Sequence, residues 1–287
     1  MTTEPRLSMP DAARTAATNA ASLEFIGNAT VLIRYAGFTI LTDPNFIHAG
    51  EEIPLGYGLK TTRLTDPAME IEDLPPIDLV ILSHFHPDHF DRVAEERLDR
   101  DVPIVTTPQA AEMLDDRGFR RAVPLETWDS YRKSAGGRRV KVTAMPGKHA
   151  PAMLSVALPD VMGSYVELWD HGADVAAGPD TTPSLRLYIT GDTIVYEGLR
   201  AIPDRCPEID LALLHLGGTR VMGVTVTMDA EQGVEMLRTV KPKLAVPIHY
   251  DDYEAFKSPL SDFVAAVREA GLENSVRYVG RGETLPL

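Results

Sequence analysis

Apolar positions recur along residues 23–35 and again at 38–42 after Gly37, which predicts strand structure in the first stretch pairing with a second strand across a turn. Residues 79–83 form a nearly unbroken apolar run, the pattern of a strand covered on both faces. Further strands are expected at 140–144, 165–168, 185–190, 211–215 and 244–248, and helices at 92–99 and 108–116. Asp229 suits an N-cap, with Gln232 three residues on, for a helix running to Val240. A last helix covers 259–270 and stops at Gly271.

Parts of this pattern repeat. Pro76-Ile-Asp-Leu-Val-Ile-Leu-Ser-His84 resembles Glu208-Ile-Asp-Leu-Ala-Leu-Leu-His-Leu216, and ahead of each lies a strand ending near an aspartate, Phe38–Asp43 and Leu187–Asp192. The same order in both halves points to an internal duplication. Two sheets packed face to face with helices outside each is the layer arrangement such halves allow. No linker separates them, so residues 22–287 are read as one α/β domain, preceded by a loosely ordered leader at 1–21.

Composition narrows the function. With 44% hydrophobic and 24% charged residues the chain is an ordinary globular one, and its net charge of −14 argues against sequence-independent nucleic-acid binding. One stretch runs against that charge, from Arg117 through Arg120, Arg121, Arg132, Lys133, Arg138, Arg139 and Lys141 to Lys148. It reads as a solvated hairpin around Gly136-Gly137, with a docking surface for an anionic partner as the alternative. Cys206 is the only cysteine, and neither a signal peptide nor a transmembrane-length segment is visible, so a cytoplasmic setting is expected.

The chemistry concentrates in Ser83-His84-Phe85-His86-Pro87-Asp88-His89, which offers four potential ligands in six residues and suits a pair of metal ions. In an extended chain His84 and His86 would share one side, and Pro87 would then turn the chain so that Asp88 and His89 face back.

His-x-His-x-Asp-His after an apolar strand resembles the signature of the metallo-β-lactamase superfamily. Pro146-Gly-Lys-His149, Thr190-Gly-Asp192 and Pro247-Ile-His249 resemble its later motifs in order and spacing. Gly27-Asn-Ala-Thr-Val-Leu-Ile33 and Leu41-Thr-Asp-Pro44 look most similar to the branch of N-acyl-phosphatidylethanolamine phospholipase D and the ascorbate-6-phosphate lactonases. The resemblance implies a four-layer αββα fold and two divalent ions. One would be held by His84, His86 and His149 and the other by Asp88, His89 and His249, with Asp192 bridging. Zinc is favoured and manganese is the alternative.

Two such ions can share a water, lower its pKa and polarise a substrate oxygen. The function expected is therefore hydrolysis of a phosphodiester or related phosphate ester. Lactone opening is the alternative, and a non-catalytic metal-bound scaffold a lesser one. Asp88 is the expected orienter of the nucleophile. His215, at the end of the second Ile-Asp-Leu strand, is expected to open toward the cleft as a leaving-group acid. Gly217-Gly218 either brings backbone N–H groups to a substrate oxygen or turns the chain, and His48 and His171 are assigned no chemistry. Residues 151–158 and 221–226 read as core or an oligomer contact, with an apolar substrate wall as the alternative. The expected partner is a small-molecule or amphiphilic ester, and a homo-oligomer is compatible with the sequence.

Overall fold

The computed structural model describes residues 21–56, 59–151, 158–170, 182–221 and 223–287. The first stretch of apolar residues folds as two strands, β1 (Ser22–Gly27) and β2 (Thr30–Tyr35), because Asn28 takes a left-handed conformation (φ 50°) that reverses the chain. Ala36 and Gly37, both at positive φ (51° and 70°), then form the two-residue turn into β3 (Phe38–Thr42), the backbone that a tight hairpin requires. A small hairpin of β4 (Glu52–Gly56) and β5 (Leu59–Thr62) precedes β6 (Leu79–Ile81), α1 (Arg92–Arg97), β7 (Ile104–Thr106), α2 (Pro108–Asp115) and β8 (Ala122–Pro124).

The second half begins with β9 (Ser130–Ala135) and β10 (Arg138–Met145), a hairpin turning at Gly136-Gly137 as its basic sequence suggested. It continues through β11 (Gly163–Trp169), β12 (Leu185–Ile189), α3 (Ala201–Arg205), β13 (Leu211–His215) and a short hairpin of β14 (Arg220–Val221) and β15 (Val224–Thr225). Then come α4 (Ala230–Val240), β16 (Leu244–Ile248), α5 (Leu260–Ala270) and β17 (Thr284–Pro286). Asp229 caps α4 by accepting the Gln232 N–H, and Pro259 stands at the N-cap of α5.

Two mixed sheets result, ordered β17-β1-β2-β3-β6-β7-β8 and β16-β13-β12-β11-β10-β9. Strand alternation sends Phe25, Ile33 and Ile40 of the first against Val142, Val166 and Leu213 of the second, which makes the central core. The opposite faces bury Leu32, Leu41 and Val80 under Ala94 of α1 and Leu114 of α2, and Ala212, Leu214 and Ala245 under Val234 and Leu237 of α4 and Phe263 of α5. This is an αββα layering. None of the helices described is long and apolar enough to cross a membrane.

The duplication holds in topology but slips in register. Ile40 lies opposite Leu79, whereas its sequence counterpart Ile189 lies opposite Leu213. The Asp43 N–H donates to Ile81 and the Thr190 N–H to Leu213, so Thr190 stands where Asp43 does. Asp192 therefore reaches one pleat further toward the other half. The C-terminal β17 returns to pair with β1, placing Leu285 opposite Leu23.

Candidate metal centre

The His84–His89 loop is shaped by a turn, not by strand alternation. β6 ends at Ile81, and the Ser83 N–H is held by Asp43 Oδ1 at 2.7 Å. The His86 N–H then donates to His84 O, and the His89 and Phe90 N–H groups donate to His86 O. This coil brings His84 Nε2 within 3.0 Å of His86 Nδ1. Asp91 anchors the far end: its carboxylate caps α1 at Ala94 and also accepts the Phe46 and Ile47 N–H groups.

Three loops of the second half meet this one. His149 follows β10, and its neighbour Lys148 is tied to the Asp192 loop through Thr193 Oγ1. Asp192 follows Gly191, whose φ of +61° and approach to the Met162 carbonyl leave no room for a side chain, since a Cβ would stand 2.7 Å from that oxygen. His249 follows β16 in a left-handed conformation (φ 61°), its N–H held by Asn28 O. The Asn28 side chain in turn donates to the Asp88 carbonyl, so β1, β2 and β16 together fix two candidate ligands.

The seven side chains form two adjoining groups. Donor atoms of His84, His86 and His149 lie within 4.8 Å of one another, and so do those of Asp88, His89, Asp192 and His249. The far nitrogens are already occupied. His149 Nδ1 meets Val226 O, His249 Nδ1 meets Leu216 O, and His84 Nδ1 meets Ser83 Oγ, which turns each Nε2 inward. His89 Nε2 and Asp192 Oδ1 are buried with no hydrogen-bond partner among the described residues. Convergent ring nitrogens and orphaned buried donor atoms fit a divalent cation better than any network the protein makes by itself.

Electrostatics agree. Burial and the neighbouring imidazoles push His84 well below the usual range, and burial with His149 brings His86 down to about 4, so both rings keep a lone pair to donate. Burial alone would raise the carboxyls of Asp88 and Asp192, but His89 and His249 hold both below their usual range. Conversely, burial opposes a proton on His89 or His249, yet Asp192 and Asp88 raise the pKa of each. The four-residue group therefore draws positive charge, which a metal ion supplies without a proton.

His215 does not open toward the cleft. It is fully buried, with Nδ1 3.2 Å from Thr190 Oγ1 and Nε2 3.3 Å from Asp43 Oδ2, and its ring stacks on His89 at 5.9 Å. The β13–β16 pairing sets His215 opposite Ile248, and both of its ring nitrogens are taken by Thr190 and Asp43 rather than by the recess. Asp43, singled out above only within a branch motif, is the residue that sequence reasoning missed. It receives His215, lies 3.5 Å from His89 Nδ1 and holds the Ser83 N–H. Its place in the first repeat, matching Asp192, was the available signal.

Above the ligands lies a recess of about 50 Å³ walled by Leu158, Val221, Val226, Ala255 and Phe256, with Arg220 on its rim. Both apolar segments suggested as a substrate wall thus contribute to it, although residues 152–157 and 222 lie outside those described. Gly217 and Gly218 turn the chain: the Gly218 N–H is taken by Met228 O, and Gly217 O accepts from Lys257 and Ser258. His48 pairs with Asp66 and Glu70 on the surface, while His171 and residues 1–20 of the expected leader lie outside the described residues.

Fold and centre together define a metal-dependent hydrolase of the metallo-β-lactamase type, and residues 39–250 match the model of the β-lactamase superfamily domain, so the chain belongs to that family. It is 28% identical over 262 residues to a UPF0173 metal-dependent hydrolase of Deinococcus radiodurans, covering 91% of this chain and 97% of that one. Among solved structures it resembles a possible metal-dependent hydrolase from Veillonella parvula (TM-score 0.76, 19% identity, 93% of this chain and 100% of that one). It also resembles an isothiocyanate hydrolase from Delia radicum gut bacteria (TM-score 0.75, 22% identity, 93% and 98%). The family model carries the superfamily and the structural likenesses the fold; neither carries the narrower branch.

Proposed function

We propose that this chain hydrolyses a small ester with an apolar body, using two divalent ions held by the seven side chains above. His84, His86 and His149 would hold one ion, and Asp88, His89 and His249 the other, with Asp192 between them. When bound, such ions lower the pKa of a water and polarise the oxygen of the bond to be cleaved. Zinc remains the favoured ion and manganese the alternative.

The protein's own groups supply the rest. Asp88 stays a carboxylate beside His249, 3.4 Å away, and is the group that accepts a hydrogen bond from the attacking water and aims it. Thr227 Oγ1 donates to Asp192 Oδ2 at 3.0 Å and fixes that carboxylate. Asp43 and His215 act on His89 from beneath, so His215 is a positioning residue. Val226 and Phe256 give the recess apolar wall beside these groups.

The observation that carries the reading is the convergence of two ligand groups on the floor of an apolar recess. The same recess favours a lactone or similarly small carbonyl ester over a phosphodiester. Its apolar walls contact a neutral ring at little cost, and apart from the ions on its floor Arg220 is the one Lys or Arg lining it among the described residues. The test is a purified, metal-assayed sample offered lactones, phosphodiesters, phosphomonoesters and an isothiocyanate in parallel. Turnover of lactones well above the rest is expected. Phosphodiester turnover alone reverses the preference, and no hydrolysis of any by metal-loaded protein removes the proposal.

A further inference from the structure

A second, larger cavity among the described residues shares no residue with this centre. A groove of about 950 Å³ lies on the outer face of the second sheet, where β9, β10 and β11 form its floor. Strand alternation and register place Arg132, Lys141, Glu167 and Arg186 in one cross-strand row on that floor. Arg132 and Lys141 are direct cross-strand neighbours. Like charges so placed destabilise a sheet, so this pair costs stability unless something anionic covers it.

The acids beside the pair cover only its Lys141 end. Glu167 is committed to Lys141 at 2.6 Å, and Glu208 at the groove edge to Arg186 at 3.0 Å. Neither Arg132 nor Arg205 is paired with a carboxylate among the described residues, and both are exposed. Both tryptophans of the chain line the groove, each faced by a guanidinium: Arg205 stands 4.4 Å from the Trp128 ring centroid and Arg139 4.0 Å from that of Trp169. A guanidinium held over an indole has its fork partly pre-ordered for phosphate oxygens. In a chain of net charge −14, this concentration of cations is local and specific in place.

We propose that the groove is a binding site for a nucleoside polyphosphate, with the phosphates on the Arg132–Lys141 row and the base against the half-buried Trp128 and its Arg205. The volume accommodates a ligand of that size. Clustered cations call for several closely spaced oxyanions, and the aromatic wall for a planar group beside them.

The chain reports its own occupancy, because Trp128 and Trp169 are its only tryptophans. Metal-loaded protein is titrated with ATP, inorganic triphosphate and adenosine while tryptophan emission is followed, with magnesium in excess so that the nucleotide does not strip the centre. A saturable change with magnesium ATP is expected, with weaker binding of triphosphate and none of adenosine. Arg132→Gln and Arg205→Gln should each weaken ATP binding about tenfold or more, the effect of losing a charge-assisted contact. Arg120→Gln, exposed in the same basic stretch but outside the groove, should leave it unchanged. Because Arg132 opposes Lys141, Arg132→Gln should do this without lowering the thermal midpoint, which a structural role would not allow. No saturable response to millimolar ATP, equal loss with Arg120→Gln, or binding of an oligonucleotide or acidic peptide in place of ATP overturns the proposal.

Discussion

Each candidate ligand has one polar end aimed at the centre, and most have the other held by the protein, so single side chains there divide into those that act and those that aim. On the proposed reading Asp88 is in the first group. Asp88→Asn keeps the shape and removes the charge, so turnover should fall about a hundredfold or more, the scale of a lost proton acceptor, while the thermal midpoint changes little. A variant that folds, keeps its metal and turns over at the parent rate leaves Asp88 with no catalytic part. His215 is in the second group. With both nitrogens engaged beneath the ligand layer, it has none to offer a departing oxygen. His215→Ala should therefore slow a nitrophenyl ester and an alkyl ester of the same acid by equal factors, whereas a selective loss on the alkyl ester would restore it as a leaving-group acid. Four of the seven candidate ligands stood out in the sequence because they crowd into residues 84–89, whereas His149, Asp192 and His249 were reached only through the resemblance to the superfamily's later motifs. Asp43 stayed hidden because its role depends on a register that no local pattern records.

Elements decide how firmly those atoms are presented. Gly191 joins β12 to Asp192 with a positive φ, and a Cβ there would stand 2.7 Å from the Met162 carbonyl oxygen. Gly191→Ala should displace Asp192, at a cost of roughly 1–3 kcal/mol for the strained backbone, and lower metal occupancy as well as stability. Full metal content measured in the purified variant would show that the loop tolerates the shift. Cys206 closes α3, where burial pushes its thiol up to about 11. The folded state thus holds the thiol proton more tightly than the unfolded chain. Stability from this group is present below the unfolded pKa and lost as pH rises through about 11. Iodoacetamide at pH 8 should label Cys206 much more slowly in folded than in unfolded protein, and equal rates would mean that the thiol is neither buried nor raised. The long apolar elements were legible because burial on one or both faces imposes a period. The three-residue strands β7, β8 and β17 were not, since so short a run carries no period, and β17 is defined only by its partner β1.

Across the whole molecule the centre is where the two halves meet, since His84 to His89 come from the first sheet and His149, Asp192 and His249 from the second. On the proposed reading, an ion held in either group would tie the sheets together in the folded state and find no such site in the unfolded chain. Its binding free energy is then folding free energy, about 4 kcal/mol for one ion supplied at a thousand times its Kd. Stripping the metal should therefore do two things at once: abolish hydrolysis and lower the thermal midpoint by several degrees. Adding zinc or manganese should return both, and elemental analysis of the active protein should find about two ions per chain. His249→Ala sharpens the test, because it damages only the group that holds Asp88 and His89. That variant should keep about one ion, bound through His84, His86 and His149, and recover part of the thermal shift without activity. If active protein contains no transition metal, or if chelation leaves both rate and midpoint where they were, the orphaned atoms of His89 and Asp192 need another explanation and the hydrolase reading fails with them.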